Sequence, residues 1–399
     1  MPEIDIVKVG LLLFVACLVA IVTRRIGLPY SVGLVAAGIG LGVTGYLGRV
    51  ELTPQLIFTF LLPPLIFEAA LHLGWQEARR EAPLVLTLAF VGTFLSAVVV
   101  AVGMHWWAGW GWQASLLFGS LIGATDPVSV IAMMKEQNAE PRLRFIMESE
   151  SIVNDGAAAV MFSLCLAVIG GENTGFATIS GSLLLTVLGG VACGLGVAGG
   201  LLLIAGRSDD HLVELTLTVL AAYGSFALAQ ALDLSGVLAT LAAGMLVGNR
   251  GRGHILTDRG GEAVIRFWDF AAFLANSIIF ILIGSRAADQ SFTTYLWPAV
   301  IGIALALGGR AVAIYPVGAL FSGSSLALDR MTRHLLFWGG LRGALALALA
   351  LAVPNTLPGH NALVGVAFAV VAFSIFIQGL TFPSLLRRSG LVTDVEPGS

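Results

Sequence analysis

Two aspartates, Asp126 and Asp155, are the residues of this chain whose surroundings most strongly suggest chemistry. Each lies in a short polar stretch that interrupts a long apolar run: G-A-T-D-P-V at residues 123–128 and S-E-S-I-V-N-D-G at residues 149–156. A carboxylate at the middle of a membrane costs about 2.5–3.5 kcal/mol on insertion scales. We therefore expect each aspartate to have a charged partner, a water-filled cavity or a bound cation.

Asp155 has a second oxygen ligand at helical spacing. Ser151 lies one helical turn before it, so that its hydroxyl faces the same side of a helix. Carboxylate, hydroxyl and carbonyl oxygens suit a hard cation, and neither stretch supplies the histidine or cysteine that a transition metal prefers. Withdrawal from water also favours the protonated form of a carboxyl group. A group that takes either a proton or a cation is the minimum requirement for exchange; the alternative is an aspartate that only pairs with a buried arginine.

Asp126 is followed by Pro127, which removes a backbone donor and breaks a helix. Carbonyls freed at membrane depth are tolerated only where they line a cavity or meet buried partners. An aspartate beside a broken helix is typical of ion transporters, and the positive ends of the helix fragments would keep Asp126 ionised. The alternative is a proline kink, capped by Thr125 and Asp126, that serves packing alone.

Four further charged residues fall at depth in apolar segments: Glu68, Glu150, Arg310 and Arg342. Two unpaired buried charges would cost far more than one pair, so we expect Glu150 to pair with Arg310. Arg342, in the glycine-flanked G-G-L-R-G-A-L, is the competing partner. For Glu68 the sequence leaves a structural pairing and a place in the ion site equally open.

The composition places these residues in a polytopic membrane protein. Of the 399 residues 57% are hydrophobic and 11% are charged, and the mean hydropathy is +0.92, whereas about 25% of the residues of a soluble domain are charged. No basic patch suggests nucleic acid, and the three cysteines have no metal-ligand spacing. We expect membrane lipid as a partner and no cofactor.

A spanning helix needs about 20 mainly apolar residues, and thirteen segments meet that rule. They cover residues 6–23, 30–47, 54–73, 83–107, 112–134, 148–170, 177–205, 211–231, 235–248, 264–286, 292–321, 332–353 and 361–386. None of them has the alternating pattern of a barrel strand. The sequence therefore predicts an all-α protein with about thirteen transmembrane helices.

The basic residues predict its orientation. With the N-terminus outside, the inward loops carry most of them: Arg24, Arg25, Arg79, Arg80, Lys135, Arg142, Arg144, Arg207, Arg250, Arg252, Arg259, Arg330, Arg333, Arg387 and Arg388. The outward side carries Lys8, Arg49 and Arg286. This asymmetry agrees with the positive-inside rule and predicts a cytoplasmic C-terminus.

Motifs along most of the chain, roughly residues 30–385, resemble one family. They are L-L-P-P-L-I-F-E-A at residues 61–69, T-D-P at 125–127, E-S-E-S-I-V-N-D-G at 148–156, S-G-V-L-A at 235–239, F-W-D-F-A-A-F-L-A-N-S-I-I-F-I-L-I-G at 267–284 and G-G-L-R-G-A at 339–344. In this order they resemble the monovalent cation:proton antiporters of the NhaP/NHE branch, the cation:proton antiporter-1 family.

The resemblance implies an NhaA-like antiporter fold, an inverted repeat with two broken helices that cross at residues 112–134 and 332–353. Residues 1–390 would form one transporter domain, followed by a short cytoplasmic tail at 391–399. The core with the ion site would take helices from about 54–170 and 292–386, apart from linking helices. Helices from about 6–47 and 177–248 would form the interface of a homodimer.

The resemblance also implies residue roles. Asp155 would be the exchange carboxylate and would hold Na+ together with Ser151 and Thr125, close to Asp126. Glu68 is a further candidate oxygen donor. The supporting residues would be Asn154, which holds Thr125, the pair Glu150 and Arg310, and Arg342 and Pro127. Asn154 stands where the electrogenic branch has a first aspartate.

These observations lead to one functional prediction and three alternatives. We expect a secondary antiporter, not an enzyme, that exchanges Na+ or Li+ for H+ by alternating access, electroneutrally and one for one. It would serve sodium and pH homeostasis in the cell membrane of a prokaryote. A K+/H+ antiporter of the same fold remains open. A cation channel would need a continuous polar pore, and an intramembrane aspartyl protease would need G-x-G-D where this chain has V-N-D-G.

Overall fold

The computed structural model describes residues 6–45, 53–171, 176–206, 210–251, 256–288, 290 and 292–392. These residues form helices and no β-strand; one isolated bridge pairs Ala139 with Val392. Arg49, Arg207, Arg252 and residues 393–399 of the predicted tail lie outside this range. The all-α prediction is confirmed.

The helices are named in chain order. They are α1 Ile6–Ile26, α2 Tyr30–Thr44, α3 Leu62–His72, α4 Trp75–Leu86, α5 Thr93–Trp107, α6 Trp112–Leu121, α7 Val128–Glu136, α8 Pro141–Ile169, α9 Phe176–Ala205, α10 His211–Ala231, α11 Gly236–Leu246, α12 Asp258–Ala288, α13 Leu296–Leu320, α14 Arg330–Trp338, α15 Ala344–Ala352, α16 His360–Phe373 and α17 Gly379–Arg388. Short π-helical stretches join α4 to α5, α16 to α17, and precede α3.

Every one of the thirteen predicted segments lies on a helical stretch. Among the described residues, eight helices are long and apolar enough to cross a membrane by themselves. Several boundaries differ from the prediction because an apolar window stops where polar residues begin, whereas the helix continues. Thus α8 begins at Pro141, a residue suited to a first helical position, and α12 begins at Asp258.

Both segments expected to be broken are interrupted. The first consists of α6 and α7, with residues 122–127 between them, and the second of α14 and α15, with residues 339–343 between them. The two breaks touch, because the backbone N–H of Asp126 donates to the carbonyl of Leu341 at 2.7 Å. Glycine is required at Gly343, since a Cβ atom there would collide with the Asp126 side chain.

The helices pack in two groups. In one, α2 packs on α12, and α9, α10 and α11 pack on one another; α3 contacts mainly α11 and α12. In the other, α5 packs on α6 and α13, while α16 contacts α13 and α15. Small residues permit the closest approach: a Cβ atom on Gly284 of α12 would meet the backbone of α2 at Val35 and Gly38.

Candidate ion site

A cavity of about 60 Å³ lies between the first break and α8. Its polar lining comes from Thr125, Asp126, Ser151, Asp155 and Asn276, and residues of α3 and α15 supply apolar walls. Ser151 and Asp155 share one face of α8 because they are one turn apart, as their spacing predicted. The structure therefore brings together Asp155, Asp126, Thr125 and Ser151 of the predicted oxygen set.

Thr125, in the break between α6 and α7, is hydrogen-bonded to Asn154 and Ser151 of α8. Its backbone N–H donates to Asn154 Oδ1 at 3.2 Å, and Asn154 Nδ2 donates to Thr125 Oγ1 at 2.7 Å. Thr125 Oγ1 also donates to Ser151 Oγ at 3.1 Å, and Ser151 Oγ donates to the Thr125 carbonyl. The contact between Asn154 and Thr125 that the resemblance implied is present, and it fixes both Thr125 oxygens beside the cavity.

Asp126 lies at the N-terminal ends of two helix fragments. Its carboxylate accepts a hydrogen bond from the backbone N–H of Val128 at 3.0 Å, and the backbone N–H of Ala344 also acts on it. These donors open α7 and α15, where unsatisfied N–H groups and the helix dipoles favour negative charge. These N–H groups reduce the cost of a negative charge on Asp126, while its burial acts against that charge.

Arginines lie at the opposite ends of the broken helices. Arg342 Nη1 donates to the carbonyls of Gly123 and Ala124, at 2.9 and 3.2 Å, just beyond the end of α6. Arg310 Nη2 donates to the Leu336 carbonyl near the end of α14 at 3.0 Å. Both side chains are buried. Each arginine thus satisfies the carbonyls that a helix C-terminus leaves free.

The structure decides which arginine pairs with Glu150. Arg310 forms a two-pronged ion pair with it, Nη1 to Oε1 at 2.8 Å and Nη2 to Oε2 at 2.9 Å, as the sequence predicted. Glu150 Oε1 also accepts from Asn154 Nδ2 at 2.8 Å. The ion pair is therefore connected through Asn154 to Thr125 and the ion cavity.

Asp155 has a different environment from Glu150 and Asp126. Within the described part of the chain it forms no salt bridge, and its buried Oδ1 has no hydrogen-bond partner. The nearby charges that act on it are Asp126, Glu150 and Arg342. Asp155 thus lines the cavity with a carboxylate that has one unpartnered oxygen, whereas Glu150 is held by Arg310 and Asp126 accepts from the start of α7.

Glu68 does not line the cavity, although its neighbours Leu65, Ile66 and Ala69 do. Its carboxylate lies 3.6 Å from Nδ1 of His72 and close to Asp269 of α12. The sequence analysis did not identify Asn276 of α12, which does line the cavity. The signal for it is an uncharged amide inside the apolar part of the motif at residues 267–284.

A second, wider cavity of about 510 Å³ shares Val128 and Asn276 with the first. Its lining includes Arg24, Glu136 and Arg387. Arg24 and Arg387 belong to the basic residues that the sequence analysis assigned to the inner side of the membrane. The wide cavity therefore extends from the ion site toward the predicted inner surface.

Comparison with known proteins agrees with this geometry. A family model described as "Sodium/hydrogen exchanger, transmembrane" matches residues 11–388. The chain is 34% identical to the Na(+)/H(+) antiporter ApNhaP of Aphanothece halophytica over 371 residues, which are 92% of this chain and 71% of that protein. It is also 34% identical to the low-affinity Na(+)/H(+) antiporter NhaS1 of Synechocystis over 375 residues, with the same shares.

Among solved structures, the sodium proton antiporter MjNhaP1 from Methanocaldococcus jannaschii at pH 8 is similar to this chain. The TM-score is 0.77 at 19% identity, and the match covers 96% of this chain and 98% of MjNhaP1. At that identity the likeness shows a common fold, the antiporter fold expected from the motifs.

Proposed function

Because this chain belongs to the sodium/hydrogen exchanger family, we propose that it exchanges Na+ or Li+ for H+ across the membrane by alternating access. The observation that carries the proposal is the state of Asp155, a carboxylate on a buried cavity with a free oxygen and no arginine partner. Such a group can be neutralised either by a proton or by a monovalent cation. One group that takes both ions in turn couples their movements.

We propose that Na+ is held by oxygens of Asp155, Ser151 and Thr125. Both hydroxyls lie beside the cavity, and the hydrogen bonds from Asn154 hold Thr125 in place. Ionised Asp126 adds negative potential next to them. The set contains only oxygen donors, as a hard cation requires. Because Glu68 lies outside the cavity, its place in the ion site would require a movement of α3 toward α8.

We propose electroneutral exchange, one cation for one proton. Asn154 is neutral, Glu150 is neutralised by Arg310, and Asp126 is fixed by two helix N-termini. Asp155 is then the one residue of the cavity that changes charge during the cycle. The site carries the same net charge when it moves Na+ in one direction as when it moves a proton in the other. The membrane potential therefore does no net work on the exchange cycle.

The proposed topology has thirteen crossings, with the N-terminus outside and the C-terminus in the cytoplasm of a prokaryote. It is supported by the helical stretches at all thirteen segments and by the basic residues of the inner loops. The wide cavity would then be a cytoplasmic entrance to the site. The ion site lies where α8 meets the two breaks, within the proposed core, and the α9–α11 group corresponds to the interface of a proposed homodimer.

The experiment that tests this function is ion-driven pH change in proteoliposomes containing the purified protein. An outward or inward gradient of Na+, Li+ or K+ is imposed, and an internal dye reports pH. Na+ or Li+ should drive proton movement in the opposite direction, and K+ should not. A K+ response of equal size would favour a K+/H+ exchanger, and cation flux without proton movement would favour a channel.

A further inference from the structure

A second group of ligand-type side chains lies outside the ion cavity. Glu68 and His72 are one turn apart on α3, and Asp269 faces them from α12. One ligand atom of each residue lies within 4.8 Å of the other two, an arrangement that the described residues show at this place alone. The proposed exchange mechanism gives no task to His72 or Asp269.

The histidine is already held in the tautomer that binds a metal. Its Nδ1 lies 2.9 Å from the backbone carbonyl of Glu68, so that Nδ1 carries the proton and donates it to that oxygen. The lone pair is then on Nε2, which lies 3.9 Å from Asp269 Oδ1. Metal-ligating histidines characteristically donate their other ring N–H to a carbonyl or carboxylate in this way.

The spacing is close to that of a bound metal. Ligand atoms at about 2.0–2.2 Å from a tetrahedral ion lie about 3.4 Å apart. The Nε2–Oδ1 distance of 3.9 Å therefore needs to shorten by about half an ångström, and the Glu68 carboxylate, which now lies 3.6 Å from Nδ1, has to turn toward Nε2. The side chains of His72, Glu68 and Asp269 are 32%, 23% and 52% exposed, so an ion can reach them without opening the core.

The surrounding charge favours a cation. Glu148 of α8 adds a third carboxyl group that interacts with Glu68 and His72. Lys135 and Arg144 are the nearby basic groups that act on Glu148. Acidic groups thus outnumber basic ones at this place, since Glu68, Asp269 and Glu148 lie against Lys135 and Arg144. Lys135 and Arg144 belong to the loops assigned to the inner side, which places the cluster toward that surface.

We propose that Glu68, His72 and Asp269 bind a divalent transition metal ion of the Zn2+ or Co2+ class. One imidazole nitrogen with two carboxylates suits such ions, whereas the all-oxygen set around Asp155 suits Na+. Water would complete the coordination. The cluster thus differs from the ion cavity in the class of cation it selects.

The metal also inhibits transport, a consequence that rests on the proposed exchange function. Residues of α3 and Asn276 of α12 line the ion cavity, so a metal that links α3 to α12 ties two of its walls together. In addition, Glu148 lies on the same face of α8 as Asp155, two turns or about 10 Å away. A divalent cation next to Glu148 makes the electrostatic potential on this face of α8 less negative. Na+ is then attracted less strongly toward Asp155.

Binding is measured first and needs no transport. Purified protein without a histidine tag is titrated with Co2+ in detergent, and its visible absorption reports coordination. We expect one saturable site, and we expect His72→Gln to raise the half-saturating Co2+ concentration at least about tenfold. His211→Gln, which changes an exposed histidine at the start of α10, is the control and should leave the titration unchanged. Equal affinity in His72→Gln and the parent, or no saturable binding, overturns the site.

Inhibition is measured next in proteoliposomes, with Zn2+ on both sides of the membrane. Zn2+ should slow Na+-driven proton movement in the parent protein, and His72→Gln should need at least about tenfold more Zn2+. Equal inhibition of both proteins overturns the regulatory proposal. If the parent binds Co2+ but moves no protons with any cation, the exchange function fails while the metal site stands.

Discussion

The ion pair between Glu150 and Arg310 gives a prediction whose size follows from the structure. Glu150 is 1% exposed and Arg310 is 6% exposed, and two hydrogen bonds of 2.8 and 2.9 Å join them. Glu150→Gln leaves the guanidinium without a counter-charge, and Arg310→Met leaves the carboxylate without one. Either single substitution should therefore cost about 3–5 kcal/mol, the usual result of breaking a buried pair.

The double variant should be far less damaged than the sum of the two. It contains no uncompensated charge, and replacing a whole buried pair is often close to neutral. We expect a coupling free energy of at least about 3 kcal/mol, at or above the upper end of the range for residues in contact, so that the double variant should lose no more stability than either single variant. The remaining cost of the double variant comes from the Leu336 carbonyl, which loses both Arg310 donors, whereas a glutamine at position 150 still offers an oxygen to the Asn154 amide.

The assay is thermal unfolding of the four proteins in one detergent, with the shifts converted to apparent free energies. Arg266 and Glu262 supply a matched control cycle, because this pair at 3.3 Å is one helical turn apart and 81% and 73% exposed. Its coupling should stay below about 0.5 kcal/mol. Additive losses at Glu150 and Arg310 would refute the reasoning, since they would mean that neither group compensates the other.

Three further predictions concern the ion site. The Na+ concentration for half-maximal exchange should rise as pH falls, approaching about tenfold per pH unit for one competing proton; a pH-independent value would show separate sites. Gly343→Ala should cost about 1–3 kcal/mol of stability and slow exchange because its Cβ meets Asp126, while Gly308→Ala, which meets nothing, should do neither. An inside-negative potential set with valinomycin and K+ should leave the Na+/H+ equilibrium unchanged, although each net charge moved would contribute about 2.3 kcal/mol per 100 mV; a shift would mean unequal numbers of protons and cations.

Local chemistry made much of the fold predictable. Pro127 beside the polar pair Thr125 and Asp126 marks the first break, whereas Pro316 alone does not interrupt α13, and the glycines around Arg342 mark the second break. The spacing of Ser151 and Asp155 fixes a common face because an α-helix has one geometry. The cost of isolated buried charge predicted an arginine partner for Glu150, and the resemblance to the family favoured Arg310 over Arg342.

Other features depend on how distant helices are rotated against each other, which no local pattern specifies. Glu68 is two residues from Ile66 and next to Ala69, both of which line the cavity, yet the rotation of α3 directs its carboxylate toward Asp269 of α12. The target of Arg342 is a pair of backbone carbonyls, and these have no signature in a sequence. Asn276 was missed because an amide carries no charge to mark it.

The central claim is that Asp155 alternates between a proton and a cation, and Asp155→Asn tests it most directly. The amide keeps the size of the side chain but cannot release a proton or neutralise Na+. Asp233→Asn is the control, since Asp233 is exposed and its positive φ of 56° is one that asparagine also adopts. In proteoliposomes, Asp155→Asn should be folded and show no Na+-driven proton movement, while Asp233→Asn should match the parent. Retained proton movement in folded Asp155→Asn would contradict the account.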